Sequence, residues 1–165
     1  MTELGVAEAG MLIRRSPEVV FAAVAEPDQI ARYWFTEASG PLAEGASVRW
    51  TWGMYGFSTE VQVKAFEPGR RILMDWDVDS DPTEVEWVFE DHPLGTWLTV
   101  VNRGFSGSPS KQAAKAIEST GGFALVLAGL KVWLEHGIEP DLVEDRHPSA
   151  WAPGWAGGRS EETTR

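Results

Sequence analysis

The stretch from Ser47 to Gly104 alternates apolar and polar residues in five runs parted by short turn signals. No other feature constrains the fold as tightly, because a side-chain period of two belongs to strands with one hidden and one wet face. The runs read as strands over Ser47–Trp52, Thr59–Phe66, Arg71–Asp77, Thr83–Asp91 and Gly95–Gly104. Pro68-Gly69, Asp81-Pro82 and Pro93-Leu94-Gly95 supply turns, and connections this short join antiparallel neighbours. The hidden face should carry Val48, Trp50, Trp52, Val61, Val63, Ile72, Met74, Trp76, Val85, Trp87, Phe89, Leu98 and Val100. Bulky indoles on neighbouring strands have two uses: they fill a core, or they line a chamber.

Helices flank this run. Gly5–Arg14 alternates weakly and reads as a first strand. Ser16-Pro17-Glu18 has the chemistry of a helix start: a capping hydroxyl, a preset φ and an acid at the positive helix end. Val20, Phe21 and Val24 give that helix one apolar face, and Glu26-Pro27-Asp28 breaks and restarts it towards Trp34 and Phe35. After the strands, Ser108-Pro109 opens a helix to His136, about 40 Å long at 1.5 Å per residue. Phe123, Leu127, Leu130 and Leu134 share one face of it. Gly121-Gly122 should bend or divide it, and Gly137 ends it. The expected organisation is one domain over 1–137 and a partly mobile tail over 138–165, in which Trp151 and Trp155 dock on the domain or on a neighbouring molecule.

Composition narrows the function. A chain of 165 residues buries enough surface to need no staple, and with no cysteine it has no disulfide, zinc–thiolate site or cysteine nucleophile. No uninterrupted apolar run reaches the ~18 residues of a membrane span, and the first ten residues lack the pattern of a signal peptide, so a cytoplasmic location is expected. The formal net charge of -11 repels phosphate backbones and anionic lipid, which argues against nucleic-acid and membrane partners. Between Arg71 and Arg103 there is no Lys or Arg, while Asp75, Asp77, Asp79, Asp81, Glu84, Glu86, Glu90 and Asp91 fall there. That run reads as a solvated strand face or as a contact surface for a basic partner.

Standard catalytic motifs do not fit. Counted as a calcium loop from Asp75, the acidic run has Ser80 where the turn needs Gly, and Pro82 two positions on. His92, His136 and His147 share no metal-ligand spacing, and Gly104–Ser108 lacks one residue of a nucleophile elbow. No cofactor or metal is expected. An enzyme built here would rely on rim residues such as Tyr55, Tyr33 or Glu37, because the hidden face carries no titratable group.

Four segments, in order, resemble a known family. Ser16–Phe21 followed by Pro27 and Trp34-Phe35 is similar to its opening Pro-Glu-x-Val-aromatic helix. "VKAFEPGRRILMDW" (Val63 to Trp76), "GTWLTVVNRGF" (Gly95 to Phe105) and "GGFALVLAGLKVWLEHG" (Gly121 to Gly137) are similar to its next three motifs. This is the START-like (SRPBCC) superfamily, in the branch named for the activator of the 90-kDa heat-shock chaperone's ATPase. The match covers residues 10–137, with Phe123 in place of the usual Trp and Asn102 where a His is common. The resemblance implies an α+β helix-grip fold, a curved antiparallel sheet wrapped around a long C-terminal helix, with a cavity between them. It implies a small hydrophobic or aromatic ligand, bound without chemistry by Trp50, Trp52, Tyr55, Met74, Trp76, Trp87, Phe89, Asn102, Phe123 and Leu127. Tyr33 is a further polar candidate at the rim. The alternatives are a chaperone-associated or other protein-binding module using the acidic face, and a cyclase- or hydrolase-like enzyme. The expected state is a monomer or homodimer.

Overall fold

A computed structural model describes residues 5–148. Its elements are β1 (Ala7–Ile13), α1 (Pro17–Ala25), α2 (Pro27–Ile30), β2 (Glu37–Ala38), β3 (Ser47–Trp52), β4 (Phe57–Glu67), β5 (Arg71–Trp76), β6 (Thr83–His92), β7 (Gly95–Arg103), α3 (Pro109–His136) and α4 (Leu142–Arg146). A 3-10 turn over Gly53–Tyr55 joins β3 to β4. All seven strands form one antiparallel sheet in the order β1-β7-β6-β5-β4-β3-β2. The first strand thus closes on the last, Ala7 opposite Asn102 and Ile13 opposite Thr96. This is the α+β helix-grip architecture expected.

The hidden face follows the alternation. Every side chain assigned to it is buried except Trp76, which is half-buried at the end of β5. A bulge between Val63 and Ala65 shifts β4's register, so that Phe66 also turns inward and meets Phe21 at 5.0 Å between ring centroids. Phe21 meets Phe89 at the same distance, which seals α1 onto this end of the sheet.

α3 packs Phe123, Val126, Leu127 and Leu130 into the core. Gly129 lets it approach the segment after α2, since a Cβ there would lie 3.2 Å from the Tyr33 carbonyl oxygen. α3 is also tied to β1: the Lys131 ammonium donates to the Leu12 carbonyl (2.9 Å), and the Arg14 amide donates to the Glu135 carboxylate (3.0 Å). By length and composition α3 could cross a membrane, but here its apolar face lies on the sheet.

Several expectations need correcting. The Gly121-Gly122 pair does not divide α3, which runs unbroken over 28 residues. Both glycines face outward, while Ser119 and Phe123 on either side are anchored. Packing there outweighs the roughly 0.5–1 kcal/mol that each glycine costs. Ser16 precedes α1 in extended conformation, but its side chain makes no capping bond, whereas Ser108 does cap α3 through the Lys111 amide. β2 and α4 carry no periodic signal in the sequence. Trp151 and Trp155, with the tail from residue 149 onward, lie outside the described residues.

Candidate ligand-binding cleft

The indoles do fill the core, and Trp34 is the reason. It enters from the segment after α2, and its ring lies 5.1 Å from Trp50, 5.3 Å from Trp76, 5.8 Å from Trp87 and 5.8 Å from Phe123. Trp34 and Trp76 stack at 25° between planes. Edge-to-face and offset contacts of this kind suit the ring quadrupole. The space between sheet and helix is therefore closed in its depth.

It opens at one end. A cleft of about 1010 Å³ lies between the first half of α3, the β5–β6 turn and α4. Trp34, Trp52, Trp76, Phe123 and Val126 line its floor, and Ile117 with the Gly121-Gly122 backbone forms a wall. Asp77, Asp81, Thr83, Asn102, Lys115, Glu118 and Ser119 bring polar groups, and Val143, Arg146 and His147 close the far side. A concave aromatic surface with a few convergent polar groups, on this scale, suits a small molecule.

Of the residues expected at a site, Trp52, Trp76, Asn102 and Phe123 line this cleft. Trp50, Met74, Trp87, Phe89 and Leu127 are buried behind it and serve as core. Trp87 is fully buried, and its Nε1 is the one buried side-chain polar atom without a hydrogen-bond partner among the described residues. Tyr55 is elsewhere: it is exposed, and its hydroxyl donates to the Val143 carbonyl (3.0 Å), which tethers α4. Desolvation first, then the nearby Glu144 and Asp145 carboxylates, raise its pKa. Tyr33 is buried, donates to the Ala23 carbonyl (2.8 Å), and has its pKa pushed well up by burial. It lines a separate, smaller hollow of about 290 Å³. Glu37 is exposed on β2.

The polar groups are largely engaged with each other. Asn102 makes three side-chain hydrogen bonds: its amide nitrogen donates to Thr83 Oγ1 and to the Glu84 carbonyl (both 2.9 Å), and its oxygen accepts from Ser119 Oγ (2.8 Å). It is a pin between β6, β7 and α3. At the mouth, Asp81 accepts from Ser106 Oγ (2.9 Å) and Lys115 Nζ (3.1 Å). The Lys115 ammonium and then the Ser106 hydroxyl hold the Asp81 carboxyl below its usual range. A carboxylate so stabilised is a poor general base near neutral pH.

The acidic run is dispersed by the fold. Asp75 meets Lys64, Asp77 accepts from Thr59, Asp79 meets Arg49, and Asp81 meets Lys115. Glu84 contacts Lys64 and Arg103, while Glu86 contacts Arg71 and Arg103. The run is cationless in sequence, but other strands and α3 supply cations to five of its eight acids. Among the described residues, no group of three or more His, Cys, Asp or Glu is placed to hold a metal ion.

Sequence reasoning missed Trp34 as the centre of the site, and missed the Asp77, Asp81, Lys115 and Ile117 surround. The Trp34-Phe35 pair was visible as a motif, but nothing local says that its indole reaches across to four others.

A model of the family described as activator of Hsp90 ATPase homolog 1-like protein matches residues 14–135. Curated protein sequences give no match. Among solved structures, a structural-genomics protein of Staphylococcus saprophyticus superposes with a TM-score of 0.71 at 22% identity, over 81% of this chain and 93% of that one. DynU16, a protein of the dynemicin biosynthetic locus, gives a TM-score of 0.71 at 26% identity, over 82% of this chain and 49% of that one. The Aha1 dimer of Colwellia psychrerythraea gives 0.68 at 18% identity, over 80% and 97%. The motifs, the sheet order and the family match agree, and the chain belongs to the activator of Hsp90 ATPase homolog 1-like family.

Proposed function

We propose that the chain binds a flat, largely apolar small molecule in the cleft between α3 and the β5–β6 turn, without chemistry. The observation that carries this reading is the aromatic floor of Trp34, Trp52, Trp76 and Phe123 beneath a rim whose polar groups already bond one another. A satisfied rim leaves stacking and apolar burial as the main source of affinity, which favours a planar ligand over a strongly polar one. The likeness to a protein of a biosynthetic locus is in keeping with a ligand-binding domain. The absence of cysteine suits a cytoplasmic setting.

The family description favours a second reading, a chaperone-associated or other protein-binding role. Its surface would have to be something other than bare acid, since Glu84 and Glu86 are already paired with Lys64, Arg71 and Arg103. A homodimer remains compatible with either reading.

The test is tryptophan fluorescence during titration with fatty acids, polycyclic phenols and sterols. Saturable quenching or a blue shift is expected for planar aromatic members. It should weaken at least tenfold in Trp76→Leu, with the fold intact by circular dichroism. No response across the panel would sink the ligand reading and leave the aromatic cluster as packing.

A further inference from the structure

Asp77 breaks the pattern of its strand. It follows Trp76 directly at the end of β5, and alternation would send the two side chains to opposite faces. Both line the cleft instead. The backbone turns there: Asp77 has φ 58°, in the left-handed region that Asp and Asn enter more readily than other residues with a Cβ. Thr59, fully buried on the hidden face of β4, fixes the result by donating its hydroxyl to Asp77 Oδ1 (3.0 Å). A titratable group thus reaches the hidden face, which alternation alone leaves without one. Asp77 also differs from its neighbours in the acidic run. Asp75, Asp79 and Asp81 have cations at 3.2 Å, 3.6 Å and 3.1 Å. Among the described residues Asp77 has no cation partner, and its Oδ2 accepts no hydrogen bond. Glu118, exposed on α3, has no partner either. With His147 counted as neutral, the lining sets three carboxylates (Asp77, Asp81, Glu118) against two cations (Lys115, Arg146), an excess of one negative charge.

We propose that the cleft selects planar aromatic monocations, of the class of a quaternised or protonated nitrogen heterocycle, with Asp77 as the residue that reads the charge. This rests on the ligand reading above and narrows it: Asp77 is the exception on an otherwise satisfied rim. Three indoles lie beside it on the floor. Trp76 is 5.3 Å from Trp34 and 5.8 Å from Trp52, and Trp34 is 6.1 Å from Trp52. The face of an indole attracts a cation, more strongly where water is excluded. The ligand's rings lie against the open part of Trp76, and the charged nitrogen faces Asp77 Oδ2. A charge delocalised over a ring is weakly hydrated, so it leaves water more easily than a compact ammonium does. Thr59 holds the carboxylate before the ligand arrives, so binding has one side chain fewer to order. An anion meets the excess negative charge and is turned away.

The experiment titrates the full chain with three compounds of one shape: N-methylquinolinium, its neutral isostere 1-methylnaphthalene, and the anion 1-naphthoate. Tryptophan fluorescence gives each Kd at about 0.15 M salt, where attraction by distant charges of the chain is screened. N-methylquinolinium should bind about tenfold tighter than 1-methylnaphthalene, and 1-naphthoate weakest of the three. Asp77→Asn suits the same left-handed backbone and keeps an oxygen for Thr59. It should bring the cation close to the neutral isostere and leave the isostere's own Kd in place, which reports an intact cleft. Glu90→Gln removes the same charge from an exposed site on β6 outside the cleft, and should change none of the three. Equal affinity for the cation and its neutral isostere would overturn the proposal and leave the ligand reading standing. So would a cation preference that survives Asp77→Asn, by tracing it to net charge. If none of the three binds, the ligand reading falls and the proposal with it.

Discussion

Replacing Trp34 by alanine tests whether the space between sheet and helix is filled by design of this one side chain. Trp34 is 7% exposed, so nearly all of its surface is lost to water on folding. A buried tryptophan covers up to about 250 Å². At about 25 cal/mol per Å² that is roughly 5–6 kcal/mol as an upper bound. Allowing about 10–40% for compaction of the unfolded chain brings it to about 3–5 kcal/mol. Large aromatic-to-alanine changes in cores fall in the same range, about 3–5 kcal/mol. Ring contacts with Trp50, Trp76, Trp87 and Phe123 are shared, so they are not added again. With a urea slope of about 2 kcal/mol/M, the midpoint should drop by about 1.5–2.5 M. Circular dichroism during urea titration reads it. The void would join the cleft floor, and apolar voids of about 150 Å³ take up small aromatics. Indole or benzene should therefore stabilise Trp34→Ala by up to about 2.7 kcal/mol at a hundredfold excess over Kd, and the unaltered protein by less. A loss below about 1 kcal/mol, or equal stabilisation of both proteins, would refute the view that this indole closes the core.

Three further outcomes are expected. Asn102→Ala strips partners from Thr83, the Glu84 carbonyl and Ser119, and should cost about 1–3 kcal/mol in thermal or urea unfolding; a change within error would show that the pin is redundant. Tyr55→Phe should leave global stability within about 1 kcal/mol but speed amide exchange in α4, because only the bond to Val143 is lost. Acid should destabilise the fold through Glu84, held low first by its bond to Lys64 and also by Arg103, and through Asp81, held low by Lys115 and then Ser106. A depressed folded pKa gives stability that is present above the unfolded value, about 4, and is lost as pH falls through the folded values. The urea midpoint should thus decline below about pH 4. Lys64→Met should make that acid limb shallower; an unchanged limb would mean the pair contributes nothing.

Which parts were legible in the sequence follows from range. Strand faces were, because alternation is local: Val48, Trp50 and Trp52 point inward on β3 as their spacing says. α3 was, because Pro109 and Gly137 punctuate it and Phe123, Leu127 and Leu130 repeat on one face. The depth of the site was not. The hidden-face list supplied walls for a chamber, but Trp34, from a non-periodic segment, fills it. The place of Tyr55 was not legible either, because the 3-10 turn after β3 aims its hydroxyl at the carbonyl of Val143, 88 residues further on. The acidic run read as uncompensated because its cations, Lys64 and Arg103, sit on other strands and only the register brings them alongside.

The pairing of β1 with β7 has a consequence for how the molecule assembles. The meander from β3 to β7 joins strands that are neighbours in the chain, so each hairpin can form as soon as it is made. β1 has no such neighbour. Its partners run from Thr96 to Asn102, and its remaining anchors, Lys131 and Glu135, come later still. On the ribosome the first strand must therefore wait, unpaired, through most of synthesis, and its docking is the step that closes a loop of more than eighty residues (Ile13 to Thr96). Mutations in β1 should then act mainly on the rate of unfolding, and mutations in the β5–β7 meander on the rate of folding.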